Sequence, residues 1–533
     1  MPAKDVAARA AGSAVRAGRW TGRRVRGEFV TRVGGPARAR VIAIFGAVLA
    51  LNGADNATVG AVAPQLEHAF HIGNTKIGLL SSVALLIGAV FTIPVGMLVD
   101  RIKRVPMLSL SILLWSIASL LSAFAGSYSS LLLSRLALGA VTATAGPAIA
   151  SLTGDYFPAR ERGRVYAYIL GGEIAGTAVG FIVSGSVAAI TWRAAFLLLA
   201  IPGFFLAREL YRTVPEPQRG GHSWLEPGVM DLKEAVAAGP PQPPPPATEG
   251  EELPPDEVED LAREAVRRLG VEPDPKLVLT EDPRSLGIVD AVRYILSIPT
   301  NILMIISSSL GYFYFAGLST FALLFVRGHY HASQAEAELV LALLVAGAMA
   351  GTLISGRITD QLLRRGVIEV RVWVPALCYL GAAALLVPGI LGSHLTPAVW
   401  FDVAGASLLS AANPPLDAAR LDIMPAGLWG RAESTRTVLR SLAQALAPLV
   451  FGGLADLIAG IAPEQAPIGT HPGVISPGAA RGLEISFLLL LGTLAAAGVF
   501  LLRARHTYPR DVATAAASHQ GSPDPVGERQ ASA

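Results

Sequence analysis

Apolar runs about as long as a membrane is thick recur along almost the whole chain. A helix needs roughly 20 apolar residues to cross roughly 30 Å of hydrocarbon. We predict such spans at residues 41–64, 77–99, 107–126, 129–152, 165–190, 193–211, 299–326, 336–358, 372–393, 398–421, 436–460 and 482–503. The sequence therefore predicts an all-α membrane protein with twelve transmembrane helices.

The composition argues against a soluble enzyme. Only 16% of the 533 residues are charged and 52% are hydrophobic, whereas a soluble domain is about a quarter charged. The sequence has no phosphate-binding glycine loop, so we predict no ATP-driven pump and no enzyme. We also predict no cofactor and no metal site, and the net charge of +3 gives no reason to expect a nucleic-acid partner. The single cysteine, Cys378, lies in an apolar run and is expected to be a buried, inert thiol.

The distribution of basic residues predicts the orientation. Four loops on one side of the predicted bundle hold eleven Lys or Arg residues, whereas the short loops on the other side hold four. Positive charge is retained in the cytoplasm, so we expect a multi-pass protein of the inner or plasma membrane with both termini cytoplasmic. We divide the chain into a basic cytoplasmic tail (1–40), a six-helix half (41–211), a cytoplasmic central loop (212–298), a second six-helix half (299–503) and a disordered C-terminal tail (504–533).

The central loop contains a proline run at 240–246, which is typical of a linker. Within the same loop, residues 255–269 have the charge spacing of a short surface helix, and residues 285–298 have the pattern of an amphipathic helix. The loop is therefore predicted to be a linker with two short helices.

Two loop signatures occur once in each half. After spans four and ten, an aspartate lies eight residues beyond a proline, and a Gly-Arg pair follows at matched spacing. After spans two and eight, the chain reads G-x-x-x-D with basic residues close behind. Matched signatures in two sets of six spans indicate two parallel, pseudo-symmetric six-helix bundles.

These loops resemble the signatures of the major facilitator superfamily (MFS), and Asp55-Asn56, Pro64 and Ile77-Gly78-Leu79-Leu80 are similar to the Spinster-like transporters of that superfamily. The resemblance implies the MFS fold and secondary transport by alternating access. It also implies a gating role for Gly96, Asp100, Arg101, Arg104, Asp155, Arg164, Gly356, Asp360, Asp422 and Arg431.

Several charged residues lie inside predicted spans, and three of them, Asp55, Arg135 and Glu173, are candidates for coupling. Charge at mid-bilayer costs roughly 2.5–3.5 kcal/mol, so such residues need partners and often line a cavity. Asp55 and Arg135 lie at compatible depth and are expected to pair across the cavity, either to couple proton binding to transport or as a purely structural pair. Glu173 is a further coupling candidate, although its glycine-rich neighbours also fit tight helix packing with a locally bonded glutamate.

Tyr312 and Tyr314, in span seven, are candidates for an aromatic wall of the cavity, with lipid-facing packing as the alternative. Taken together, the sequence predicts a proton-coupled secondary transporter for a small organic solute that is amphipathic or lipid-like. A multidrug efflux antiporter remains an alternative, as does a non-transporting receptor or scaffold. The expected partners are the solute, protons and the lipid bilayer, and we expect a monomer.

Overall fold

The computed structural model describes residues 27–99, 101–157, 159–217, 225, 228–230, 232, 261–281, 283, 286–425, 428–460 and 476–520. Within these ranges the chain forms helices and connecting loops and no β-strand. Twelve of the helical segments are long and apolar enough to cross a membrane, which confirms the predicted all-α fold with twelve spans.

The spans fall into two sets of six. The first set comprises Pro36–Ala61, Asn74–Val99, Arg104–Ala123, the pair Tyr128–Thr142 and Ala145–Tyr156, Ala159–Ala188, and Trp192–Thr213. The second set comprises Pro299–His329, Gln334–Arg364, Val370–Leu391, the pair Leu395–Ala411 and Asn413–Asp422, Trp429–Ala459, and Pro477–Ala504. We number these spans one to twelve. The face of the bundle that carries the linker helices and the C-terminal helix is called the terminal face, and the opposite face is called the distal face.

Spans four and ten are interrupted at matching places. Each consists of a longer helix followed by a shorter one, and Pro147 and Pro414 lie in the first turn of the shorter helix. Proline lacks an N–H group, which costs nothing in a first turn but would break a hydrogen bond in a helix interior. The repeat in sequence is therefore also a repeat in local structure.

Small residues let spans one and five approach closely. The backbone of Gly176 lies against Ala50, and that of Gly180 lies against Ala54, so that a side chain at either glycine would collide with span one. Helices in membranes pack through such small residues because lipid gives them little hydrophobic reason to associate. The glycines around Glu173 thus have a packing role, as the alternative interpretation expected.

The two short helices expected in the central loop are present as Leu261–Arg268 and Ile288–Ile295. The proline run at 240–246 lies outside the described residues. The first span begins at Pro36, inside the stretch predicted to be a basic tail.

The prediction of a disordered tail from residue 504 is wrong for its first part, because Tyr508–Gln520 forms a helix. Tyr508 and Val512 are fully buried against the second half. Asp511 accepts a hydrogen bond from the backbone N–H of Thr300 at 3.0 Å and so caps the start of span seven. The small alanines that suggested disorder instead allow this helix to lie close to its neighbours.

Candidate functional site

Asp55 and Arg135 form a buried ion pair inside the first half. Arg135 donates from Nη1 to Oδ1 of Asp55 at 3.1 Å and from Nη2 to Oδ2 at 2.9 Å. Each side chain is only 2% exposed, and the guanidinium lies 5.9 Å from the centre of the Phe196 ring. Two parallel hydrogen bonds between planar groups make a strong, directional contact. The pair expected from the sequence is therefore formed, and both of its members are buried.

A second polar group lies between the halves. Glu173 of span five accepts a hydrogen bond from Nδ2 of Asn52 at 3.4 Å, and it lies within electrostatic reach of Arg440 on span eleven. The Arg440 guanidinium lies 4.4 Å from the centre of the Tyr312 ring. Spans one and five of the first half thus face spans seven and eleven of the second half across one polar patch. We call Asn52, Glu173, Tyr312 and Arg440 the central group.

The two aromatic candidates have different positions. Tyr312 is half-buried under Arg440 and belongs to the central group. Tyr314 is fully buried and packs against the rings of Phe451 and Phe487. Tyr314 therefore lies in the packed interior of the second half, and an aromatic cavity wall stays a prediction.

On the terminal face, Arg104 begins span three and pairs with Asp155 at the end of span four. Its Nε donates to Glu216 at 3.0 Å, and the other oxygen of Glu216 accepts from the backbone N–H of Val105 at 2.7 Å. A carboxylate at the start of a helix also interacts favourably with the helix dipole. Arg104 and Asp155 therefore lock spans three and four together within the first half.

The second half has an equivalent pair in Arg371 and Asp422. Its two members have the same separation in sequence as Arg104 and Asp155. We call the difference in residue number that takes Arg104 to Arg371, and Asp155 to Asp422, the repeat offset. The hydroxyl of Tyr508, on the C-terminal helix, also donates to Asp422. Sequence reasoning missed Arg371, although the repeat offset points to it.

The other predicted gating residues are only partly described. Gly96 and Gly356 lie within spans two and eight, Arg101 is exposed, and Arg431 donates to the backbone oxygen of Leu286 at 2.8 Å. Asp100 lies outside the described residues, as do the side chains of Arg164 and Asp360. Nothing in the structure tests the gating role of these residues.

On the distal face, the halves are joined by hydrogen bonds that sequence reasoning missed. Asp456 of span eleven accepts from the backbone N–H and Nδ2 of Asn74 at 3.2 and 2.9 Å. It also accepts from the backbone N–H and Oγ1 of Thr75 at 2.7 and 2.6 Å. Ser186 of span five donates to Glu338 of span eight at 2.7 Å. We call the contact between Asp456 and the start of span two the distal latch.

Glu67 lies beside this latch, on the short helix Ala63–Phe70, and is only 4% exposed. Its Oε1 has no hydrogen-bond partner within the described residues. Burial raises the pKa of Glu67 well above its ordinary value of 4.5, and the Asp456 carboxylate raises it further. The closed distal face therefore favours the protonated form of Glu67.

We expect acid to favour the closed distal face. If opening exposes Glu67 to water, closure is fully favoured below pH 4.5 and weakens as the pH rises toward the raised pKa, by up to about tenfold per pH unit. Glu67→Gln should remove this dependence. The measurement is the distance between spin labels at Ser129→Cys and Ala335→Cys, on opposite halves, in a Cys378→Ala background. Glu272→Gln, at an exposed position of the linker, should behave as the parent, and equal pH dependence in Glu67→Gln would contradict the assignment.

The sequence matches the family profile of the Major Facilitator Superfamily over residues 45–448. Among curated proteins, the chain is 27% identical over 170 residues to the probable L-galactonate transporter of Escherichia coli, covering 32% of this chain and 37% of that protein. It is 31% identical over 155 residues to the 4-hydroxybenzoate transporter PcaK of Acinetobacter baylyi, covering 28% and 33%. It is 30% identical over 196 residues to human protein spinster homolog 1, covering 36% and 37%. Each match thus spans well under half of the relative.

Among solved structures, the fold is similar to a bacterial homolog of the human lysosomal transporter Spinster in an inward-facing, unoccupied conformation. The TM-score is 0.67 at 21% identity, and the match covers 89% of this chain and 98% of that chain. This likeness concerns the fold, and it extends over both halves. The profile match covers most of the chain, so the protein belongs to the Major Facilitator Superfamily.

Proposed function

We propose that the protein is a secondary active transporter that moves a small amphipathic organic solute by alternating access, driven by protons. The observation that carries this proposal is the central group, in which charged side chains from the two halves face each other in the middle of the bundle. Transporters of this architecture bind their substrates near the midplane, at the interface between the repeats.

The distal latch supports alternating access. Its bonds join span two to span eleven at their distal ends, and Ser186 and Glu338 join spans five and eight there. Such contacts close one face by few interactions, which a rocking motion of one half against the other can break and remake. We infer that the solute enters or leaves on the distal face once these bonds open.

Arg440 suggests which end of the solute the central group binds. Its guanidinium lies against the Tyr312 ring, and no carboxylate forms an ion pair with it among the described residues. Guanidinium groups bind carboxylates and phosphates through paired hydrogen bonds, and an aromatic ring beside it offers apolar contact. A solute with an anionic group and an apolar body, such as a lysolipid, fits both features.

The charge asymmetry of the loops supports an orientation with the terminal face in the cytoplasm. The buried pair of Asp55 and Arg135 supports proton coupling, because a carboxylate that loses its arginine partner in apolar surroundings takes up a proton. We therefore place the protein in a cell membrane with the distal latch outside and both termini inside.

Uptake into proteoliposomes tests this function. With an imposed pH gradient, we expect the full-length protein to accumulate a radiolabelled lysophosphatidyl lipid faster than vesicles without protein. Arg440→Gln should lower that rate by roughly tenfold or more, since a hydrogen bond to a charged group contributes about 1.5–3 kcal/mol.

The control is Arg293→Gln, which changes an arginine that is 80% exposed on a linker helix and should leave uptake unchanged. 4-Hydroxybenzoate, galactonate and ethidium are assayed beside the lipid. Movement of ethidium alone would favour multidrug efflux over the proposed substrate, and no movement of any solute would favour a receptor or scaffold.

A further inference from the structure

The two halves carry charges of opposite sign at corresponding positions. Span four begins at Tyr128 and span ten at Leu395, and these two starts are related by the same repeat offset as the terminal-face pairs. The repeat offset also takes Arg135 in span four to Asp402 in span ten. Where the first half has an arginine bonded to a carboxylate, the second half has a carboxylate.

Asp402 has no cationic partner in the described part of the chain. No Lys, Arg or His side chain in the described residues forms an ion pair with it. Asp402 lies about 10 Å along the helix axis from the start of span ten. Its Oδ1 packs against the backbone of Gly389 on span nine, where a Cβ atom would collide with it. The glycine thus makes room for a carboxyl group that no described cation neutralises.

The groups around Asp402 are neutral or acidic. The hydroxyl of Tyr314 on span seven and that of Tyr330, just beyond the end of this span, lie within electrostatic reach of Asp402. Tyr330 is also within reach of Glu484 on span twelve. Span eight, packed along span ten, has no titratable side chain between residues 339 and 356. A charged carboxylate without a cation at membrane depth costs roughly 2.5–3.5 kcal/mol, and binding a proton removes that charge.

A row of polar groups connects this carboxyl to the distal face. Tyr330 donates its hydroxyl hydrogen to the backbone oxygen of Gly389, the residue against which Asp402 lies. The neighbouring His329 places Nε2 2.9 Å from the oxygen of Gly392 and Nδ1 3.3 Å from Oε2 of Glu484. Because a carbonyl oxygen only accepts, Nε2 carries a hydrogen. These groups provide hydrogen-bond donors and acceptors between Asp402 and the distal face.

We propose that Asp402 is a proton-binding residue of the second half, supplied from the distal face past Tyr330, His329 and Glu484. The geometry that carries this proposal is a carboxyl group with no cationic partner among the described residues, at the position where the first half holds Arg135. Its participation in transport rests on the proton coupling proposed above. In the cycle, Asp402 would carry a proton that is separate from the one bound at Asp55.

Infrared difference spectroscopy on the purified full-length protein tests proton binding directly. Between about pH 5 and about pH 10, an exposed aspartate stays ionised because its ordinary pKa is about 3.9. We expect the carboxylic-acid C=O band in this range to lose one component in Asp402→Asn and to remain complete in Asp290→Asn, a change at an exposed linker position. An unchanged band in Asp402→Asn would overturn the proposal, whatever the transport assay gives.

Gly389→Ala provides a second test that retains the carboxyl group. The added methyl group should displace the Asp402 carboxyl group. The infrared band should therefore persist but titrate at a different pH. An unchanged titration would reject the placement of Asp402 against Gly389. In proteoliposomes, Asp402→Asn should lose part of the acceleration that a pH gradient gives the parent. A parent protein that ignores the gradient would reject proton coupling, while the infrared band still decides whether Asp402 binds a proton.

Discussion

Asp55→Asn is expected to abolish accumulation of the solute against its gradient while leaving exchange across the membrane measurable. Asparagine keeps the shape of the side chain but cannot bind and release a proton. The parent carboxylate makes two hydrogen bonds to Arg135, at 2.9 and 3.1 Å, and both side chains are 2% exposed. If this pair opens in one conformation and closes in the other, Asp55 gains a proton in the first and loses it in the second. Uptake with and without an imposed pH gradient is the measurement.

The single substitution also leaves a buried arginine without its partner, which costs about 3–5 kcal/mol and is expected to reduce the yield of folded protein. The double variant Asp55→Asn with Arg135→Gln removes both charges and should recover folding without recovering coupling. Asp290→Asn is the matched control at an exposed position. Gradient-driven acceleration equal to that of the parent in Asp55→Asn would remove Asp55 from the coupling mechanism and make Glu173 the next candidate.

Much of the fold follows from features that are local in sequence. A run of apolar residues sets the length of each span, and the repeated loop signatures set the division into halves. The pair of Asp55 and Arg135 was predictable too, since counting residues from the span ends places both in the same half of the membrane. These inferences succeed because the membrane imposes the same length and the same cost of charge on every span.

The partners of Arg104, Arg371 and Arg440 depend on how each span is rotated and on which spans are neighbours. A single sequence predicts both of these only weakly. Tyr314 shows the same limit. Span seven is apolar on several sides, so hydropathy alone does not indicate which side of the helix is buried. Glu216 and Asp511 lie in segments assigned to a loop and a tail, yet they cap spans three and seven. The repeat offset was the one unused signal, since it relates Glu173 to Arg440 and Arg135 to Asp402.

Asp456→Ala is expected to open the distal face. The carboxylate is 1% exposed and accepts four hydrogen bonds from Asn74 and Thr75 at the start of span two. Alanine leaves these donors without an acceptor, and each buried unpaired group costs about 1–3 kcal/mol. A loss of about 2 kcal/mol changes the ratio of closed to open molecules by roughly 30-fold. The distance between spin labels at Ser129→Cys and Ala335→Cys should therefore shift to its longer population, and gradient-driven uptake should fall with it.

Asp456→Asn separates the latch from a general loss of packing. Its amide oxygen still accepts a hydrogen bond but carries no charge, so it should retain part of the closed population, between the parent and alanine. The negative charge matters because it faces the positive end of the span two dipole. Asp417→Ala is the matched control, since it removes an aspartate that pairs with Arg436 at 2.7 Å on the terminal side of the second half. If the latch acts locally, Asp417→Ala should leave the closure of the distal face unchanged. Equal label distances in Asp456→Ala and the parent would show that other contacts hold the halves together. In that case the bond from Ser186 to Glu338 and the bond from the backbone N–H of Leu449 to Oγ of Ser82 at 3.1 Å are the next contacts between the halves to test.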